Sequence, residues 1–248
     1  MFRPTDFAKL FYRFFAKPRT EYILAEIIAS MSRVKPVHVL QVGANDGVLF
    51  DPIHTTLLHR RNVTATRIEP IREYFDELQK NCSPYASQVE LFNVCITEAD
   101  GVVNLYFPDP NLVRHCGDKG HGSINPEFVG RSREGLISRP VVGKSFQSLM
   151  QEMRSPRADV YISDCEGYDI DLLEKLPIKE LDIKVIFIEV VQQSMTTANL
   201  SDALKRATDV VIANGFNRVV WDGSDFLSWR APRESSSQYP EIEGFIRD

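Results

Sequence analysis

Val39-Leu40-Gln41-Val42-Gly43-Ala44-Asn45-Asp46-Gly47 is an apolar run that breaks into a short loop with a glycine at each end. The run reads as a buried strand, and the flanking glycines let a loop backbone come close to a bulky ligand. Further on, Ala65–Glu69 reads as a second strand, ending on an acid before Pro70. An acid at the tip of the strand after such a loop can accept hydrogen bonds from a ribose. The two stretches together predict a nucleoside-bearing cofactor at the C-terminal ends of parallel strands.

The glycine spacing narrows the choice. A dinucleotide fingerprint runs G-x-G-x-x-G directly into a helix, with the pyrophosphate on the helix N-terminus. Here Ala44, Asn45 and Asp46 lie between the two glycines, and Asp46 would set a carboxylate beside any pyrophosphate. A cofactor without phosphate suits the loop better, and S-adenosylmethionine is one. A purely structural turn would look the same. Two alternatives stay open at this point: a nicotinamide-dependent oxidoreductase on a related doubly wound sheet, and a protein that keeps the cofactor pocket without turnover.

Working outward, the chain alternates short apolar runs with amphipathic segments. Strands are expected at Val37–Val42, Ala65–Glu69, Val89–Val94, Asp159–Asp164 and Val185–Val190. Helices are expected at Asp51–Arg60, Ile71–Asn81, Ser145–Arg154, Tyr168–Leu176 and Leu200–Asn214, the last stopped by Gly215. That rhythm predicts βαβ units around a parallel sheet with helices on both faces. Phe216–Trp221 and Phe226–Trp229 suggest a closing antiparallel pair. Between Cys95 and Val142 the rhythm changes. Ile96–Ala99 and Val102–Phe107, joined by Asp100-Gly101, predict a hairpin, and a long polar loop follows.

The 248 residues suffice for one sizeable α/β domain. A net charge of -5 argues against a nucleic-acid partner bound by broad phosphate neutralisation. Four scattered cysteines without a paired framework predict free thiols in a reducing, cytoplasmic setting. The expected organisation is an N-terminal helical extension over residues 1–33, the α/β domain over 34–231 and a polar tail over 232–248. In the extension, Phe2, Phe7, Leu10, Phe11, Phe14 and Phe15 share a helical face, with Arg3, Lys9, Arg13 and Lys17 interleaved. Such a helix packs on its own domain or on a second subunit, or lies peripherally on an anionic membrane.

Two further clusters carry chemistry-bearing side chains. Ser163-Asp164-Cys165-Glu166-Gly167-Tyr168-Asp169 puts Asp164 and Glu166 at the end of an expected strand, where open α/β sheets bind ligands. Paired carboxylates there could fix a hydroxyl, hold a divalent cation or act as general base. Glu189 would share that rim. The loop His115–Ser123 offers His115 and His121 as candidate bases for a hydroxyl nucleophile. A metal site from His115, Cys116 and His121 fits no standard zinc spacing, so no metal is predicted.

Val42-Gly43-Ala44-Asn45-Asp46-Gly47, Ile68-Glu69-Pro70, Asp164-x-Glu166-Gly167-Tyr168-Asp169 and Ile186-Phe187-Ile188-Glu189, in that order, resemble the FkbM family of S-adenosylmethionine-dependent methyltransferases. Asn93–Tyr106 resembles that family's segment after the third strand, and Ser123 the serine before its variable loop. The likeness covers roughly residues 36–230. It implies a class I methyltransferase (Rossmann-like) seven-stranded sheet and O-methylation of a small-molecule or glycan hydroxyl, carbohydrate-like or natural-product. It also implies that Gly43, Ala44, Asn45, Asp46 and Gly47 line the cofactor, that Glu69 and Pro70 hold its ribose end, and that Asp164 and Glu166 face its reacting end. Many members carry an acid just before Val-Gly-Ala-Asn, where this chain has Gln41.

Overall fold

The computed structural model describes residues 20–109, 112, 121–126, 135–190 and 196–231. The chain opens with helix α1 (Thr20–Val34), then β1 (Val37–Val42), α2 (His54–His59), β2 (Val63–Ile68) and α3 (Arg72–Asn81). A 3₁₀ turn over Ser83–Gln88 leads into β3 (Val89–Phe92). Next come β4 (Cys95–Ile96), β5 (Gly101–Pro108), β6 (Leu136–Lys144) and α4 (Phe146–Glu152). The second half runs β7 (Val160–Ser163), α5 (Asp169–Lys175), α6 (Ile178–Leu181), β8 (Val185–Glu189), α7 (Thr197–Ala213), β9 (Arg218–Trp221) and β10 (Asp225–Trp229).

Seven strands form the main sheet in the order β3-β2-β1-β7-β8-β10-β9. Every pairing is parallel except those of β10, which runs antiparallel to both β8 and β9. Counted along the chain, that is 3-2-1-4-5-7-6 with the seventh strand reversed, the class I methyltransferase sheet. The closing antiparallel pair expected from Phe216–Trp221 and Phe226–Trp229 is therefore present.

Period-two alternation places the two faces of the core. In β1, Val37 and Val39 face one cluster with Leu57, Phe75 and Leu78, whereas Leu40 and Val42 face the other with Phe146, Leu173 and Val211. Thr20–Val34, placed in the N-terminal extension by the sequence, packs Ile23, Leu24, Ile27 and Ile28 into the first of these clusters. Its first residue is tied down too: the Thr20 amide and hydroxyl donate to Asp222 Oδ2 at 3.1 and 2.8 Å. Gly215, at φ +81°, closes α7, and the Phe216 amide turns back to the Val211 carbonyl at 3.0 Å.

The segment after β3 corrects the expected hairpin. Gly101–Pro108 pairs antiparallel with Leu136–Lys144, not with Ile96–Ala99, and Cys95–Ile96 adds to the same strand in parallel. A three-stranded sheet β4-β6-β5 results, and its Cys95, Ile96 and Leu105 line one cavity together with Gly43, Glu69 and Asp164. Asp100-Gly101 thus starts a strand whose partner lies far along the chain. The Asp100 carboxylate instead accepts from the Ser145 amide at 2.9 Å. No helix among the described residues is long and apolar enough to cross a membrane.

Candidate functional site

Strand order reverses direction at β1, between β2 and β7, and ligands in open α/β sheets bind at such a switch point. Gly43 stands there at φ +78°. A Cβ on it would lie 1.9 Å from the Asp164 carbonyl oxygen. The glycine therefore lets the ends of β1 and β7 touch, where ligand access was the expected reason. Gly47, at φ +74°, has a comparable role, since a Cβ there would meet Leu78 Cδ1 at 2.5 Å and Arg67 Nη1 at 2.9 Å.

Glu69 ties the loop after β1 to the loop after β2. Its Oε2 accepts from the Asn45 amide at 2.9 Å and its Oε1 from the Ile71 amide at 2.8 Å. Each oxygen keeps a second lone pair. The side chain is 4 % exposed. Burial pushes its pKa up to about 7, against the pull of those two amides, and the nearby Asp46 charge adds to the rise. Asn45, at φ +47°, presents a buried side-chain oxygen with no partner.

Asp46, expected among the cofactor ligands, turns the loop. Its Oδ1 accepts from the Val48 and Leu49 amides at 2.9 Å each. Neither Asp46 nor Gly47 lines the cavities described below. Gln41 also has a structural partner that the sequence did not reveal. It sits opposite Arg67 in the β1–β2 register and accepts from Arg67 Nε at 2.9 Å. Arg67 is fully buried, and its guanidinium pairs with the equally buried Asp51. One cation thus braces both ends of the loop that leaves β1.

Across the crevice, β7 ends in Asp164. The following turn is stapled by Asp169, whose Oδ1 accepts from Ser163 Oγ at 2.6 Å and whose Oδ2 accepts from the Cys165 amide at 3.0 Å. Asp169 is buried, with its pKa raised to about 6 by that burial, so it belongs to the scaffold. Asp164, Glu166 and Glu189 each offer a carboxylate oxygen within 4.8 Å of the others. Asp164 faces the cavity, but protein packed around it and repulsion from Asp169, Glu166 and Asp225 push its pKa well up. Burial and the Asp164 and Glu166 charges do the same to Glu189. His121 Nδ1 lies 3.0 Å from Glu166 Oε1, which brings that histidine to the acids. His115 and Cys116 lie outside the described residues. Ser123 is buried, bridges to Tyr106 through its backbone and accepts from the Asn125 amide at 3.2 Å on its hydroxyl.

Two hollows meet at Gly43, Glu69 and Asp164, which line both. One is largely apolar, walled by Pro70, Ile71, Val94, Ile96, Tyr168 and Leu172. The other, of about 350 Å³, is polar and holds Asn45, Glu166, Glu189, His121 and Asp225. The first, of about 40 Å³, has apolar walls that suit a flat heterocycle but would have to widen to admit one, and the second suits a charged, hydroxyl-rich group. Asp225 was missed by sequence reasoning. It pairs directly with Glu189 across β8 and β10, and two acids facing each other are a costly pairing.

Residues 41–211 match the family model described as a methyltransferase FkbM domain. No curated protein matches the chain. Among solved structures, a fibrillarin pre-rRNA processing protein from Methanococcus jannaschii shares 13% identity over 80% of this chain and 69% of its own, with a TM-score of 0.41. A putative O-methyltransferase from Klebsiella pneumoniae shares 10% over 88% and 82%, with a TM-score of 0.46. The O-methyltransferase TomG from Streptomyces achromogenes, involved in tomaymycin synthesis and solved with S-adenosylmethionine, shares 9% over 84% and 78%, with a TM-score of 0.44. Likeness this remote says nothing of an acceptor.

Proposed function

The chain belongs to the FkbM methyltransferase family and is an S-adenosylmethionine-dependent methyltransferase, and from that premise we propose that it methylates a hydroxyl of a carbohydrate-like or natural-product acceptor. Membership displaces the nicotinamide reading. The observation that carries the proposal is Glu69, a buried carboxylate with free lone pairs on the wall between an apolar and a polar hollow. The residues present fit the cofactor. Gly43, Ala44, Asn45, Glu69, Pro70, Asp164 and Glu166 would hold it, with Glu69 on the ribose diol. The unpartnered Asn45 oxygen is ready for a donor such as the ammonium.

When bound, the cofactor supplies an electrophilic methyl group on a sulfonium. The chain's own part is to align an acceptor oxygen with that methyl and to take the oxygen's proton. Asp164 is the candidate for the second task. Desolvation by the surrounding protein, with crowding by neighbouring acids, raises its affinity for a proton toward the range a general base needs near neutral pH. His121 is a second candidate, oriented by Glu166 at 3.0 Å. His115 remains a third by sequence. The three carboxylates could also hold a divalent cation, although alignment and proton removal do not call for one.

Calorimetry with S-adenosylmethionine and S-adenosylhomocysteine, followed by mass spectrometry over a panel of glycosides and alcohols, tests the proposal. Binding of both ligands with a gain of one methyl on an acceptor oxygen supports it. Binding without transfer to any member would favour a non-catalytic protein, and methylation of nitrogen or carbon alone would overturn the O-methyl assignment.

A further inference from the structure

Phe50 combines two features that the core does not require. Its backbone sits at φ +55°, a region bulky L-residues avoid, and its side chain is 74 % exposed. The residues on each side hold it there. The Leu49 amide is fixed on Asp46 Oδ1 at 2.9 Å. On the other side, Asp51 is locked by Arg67 and accepts from the Ile53 amide at 2.8 Å. The ring is thus kept out of the core by anchored neighbours, and it lines the polar hollow together with Leu49 and Pro52. An aromatic ring held exposed at a pocket in a costly backbone conformation is the kind of outlier that points to a binding role.

The same hollow carries Glu21, Glu166 and Asp225, and no lysine or arginine among the described residues lines it. Carboxylates accept hydrogen bonds from hydroxyls and repel anions. We propose that Phe50 is an acceptor-positioning platform. The apolar face of a neutral, polyhydroxylated ring of the pyranose kind lies on it while the ring hydroxyls donate to the carboxylates. This rests on the hydroxyl-acceptor reading above and deepens it, since it disfavours phosphorylated and uronic acceptors.

The test uses the full chain loaded with S-adenosylhomocysteine and a set of methyl pyranosides, read by saturation-transfer NMR and by titration. The expected result is saturation of at least one pyranoside. Phe50→Ala should weaken it at least tenfold, Phe50→Trp should retain it, and S-adenosylhomocysteine affinity should stay within twofold in both. Phe50→Gly should lose the pyranoside equally and melt higher than Phe50→Ala, since glycine accepts the positive φ. Unchanged pyranoside affinity in Phe50→Ala overturns the platform. So does a wild type that takes S-adenosylhomocysteine but no pyranoside, or sedimentation showing a dimer that Phe50→Ala dissociates. In those cases the methyltransferase reading stands; failure to bind S-adenosylhomocysteine would sink that reading instead.

Discussion

Replacing Gly43 by alanine puts a methyl group where the fold has a peptide. The ideal Cβ would be 1.9 Å from the Asp164 carbonyl oxygen and 2.9 Å from its carbon, inside any contact such atoms tolerate. Both partners are main chain, and the β1–β7 register Val39↔Val160 to Val42↔Ser163 leaves no flexible side chain to give way. Overpacking of this kind costs about 1–3 kcal/mol. Holding alanine at φ +78° adds about 1 kcal/mol. The total of about 2–4 kcal/mol corresponds to a fall in Tm of roughly 5–15 °C for a chain of this size. Gly215 supplies the control, since it has φ +81° and nothing within 4 Å of its Cβ position. Gly215→Ala should lose only about 1 kcal/mol, or roughly 2–4 °C. Because the displaced peptide is that of Asp164, Gly43→Ala should also weaken S-adenosylhomocysteine binding, whereas Gly215→Ala should not. Scanning calorimetry and titration of the two variants decide it. Equal melting shifts in both, with cofactor affinity intact, would refute the claim that Gly43 serves the contact of two strand ends.

Other perturbations have equally definite outcomes. Glu69 has a folded pKa near 7 against an ordinary 4.5, so the folded state holds the extra proton between those values. Stability should therefore fall as pH rises through that window, by up to about 3 kcal/mol, and Glu69→Gln should remove this part of the slope in pH-dependent urea melts. S-adenosylhomocysteine affinity should move the opposite way, rising through pH 7 in the wild type as the carboxylate ionises and staying flat in Glu69→Gln. Arg67→Met strands the buried Asp51 carboxylate and should cost about 3–5 kcal/mol by urea denaturation. A loss below about 1 kcal/mol would show that the pair does not brace the loop. Asp164→Asn should cut turnover by at least about 100-fold, with a much smaller loss of cofactor affinity, since the amide keeps an oxygen toward the ligand. Its melting temperature above pH 8 should rise, because one of several mutually repelling acids is gone. Near-normal turnover would remove Asp164 from the proton-transfer role.

The parallel half of the fold was legible because its strands are buried on both sides. Val37–Val42 and Val185–Glu189 are almost continuous apolar runs, and both appear close to their expected bounds. Leu136–Lys144 was not legible. It is the middle strand of the small sheet, but its residues are almost all half-exposed or exposed and Arg139, Pro140 and Gly143 interrupt it, so no apolar period marks it. Without it, Asp100-Gly101 looked like a two-residue hairpin turn. Of the site, the strand-end acids Glu69, Asp164, Glu166 and Glu189 do converge on one crevice. Local pattern could not distinguish Asp46 and Asp169, which spend their oxygens on backbone amides, from acids left open to a ligand. Nor could it show why Gln41 is neutral. Its amide oxygen meets Arg67, whose charge Asp51 already balances, and that depends on strand register.

Cofactor recognition depends most on the carboxylate of Glu69 receiving a ribose diol. The direct measurement is a double cycle in which wild type and Glu69→Ala are each titrated with S-adenosylhomocysteine and with its 2′,3′-dideoxy analogue. Wild type should prefer the natural ligand by about 1–3 kcal/mol, and Glu69→Ala should bind the two nearly alike. An equal preference in both proteins would place the sugar elsewhere and contradict the account.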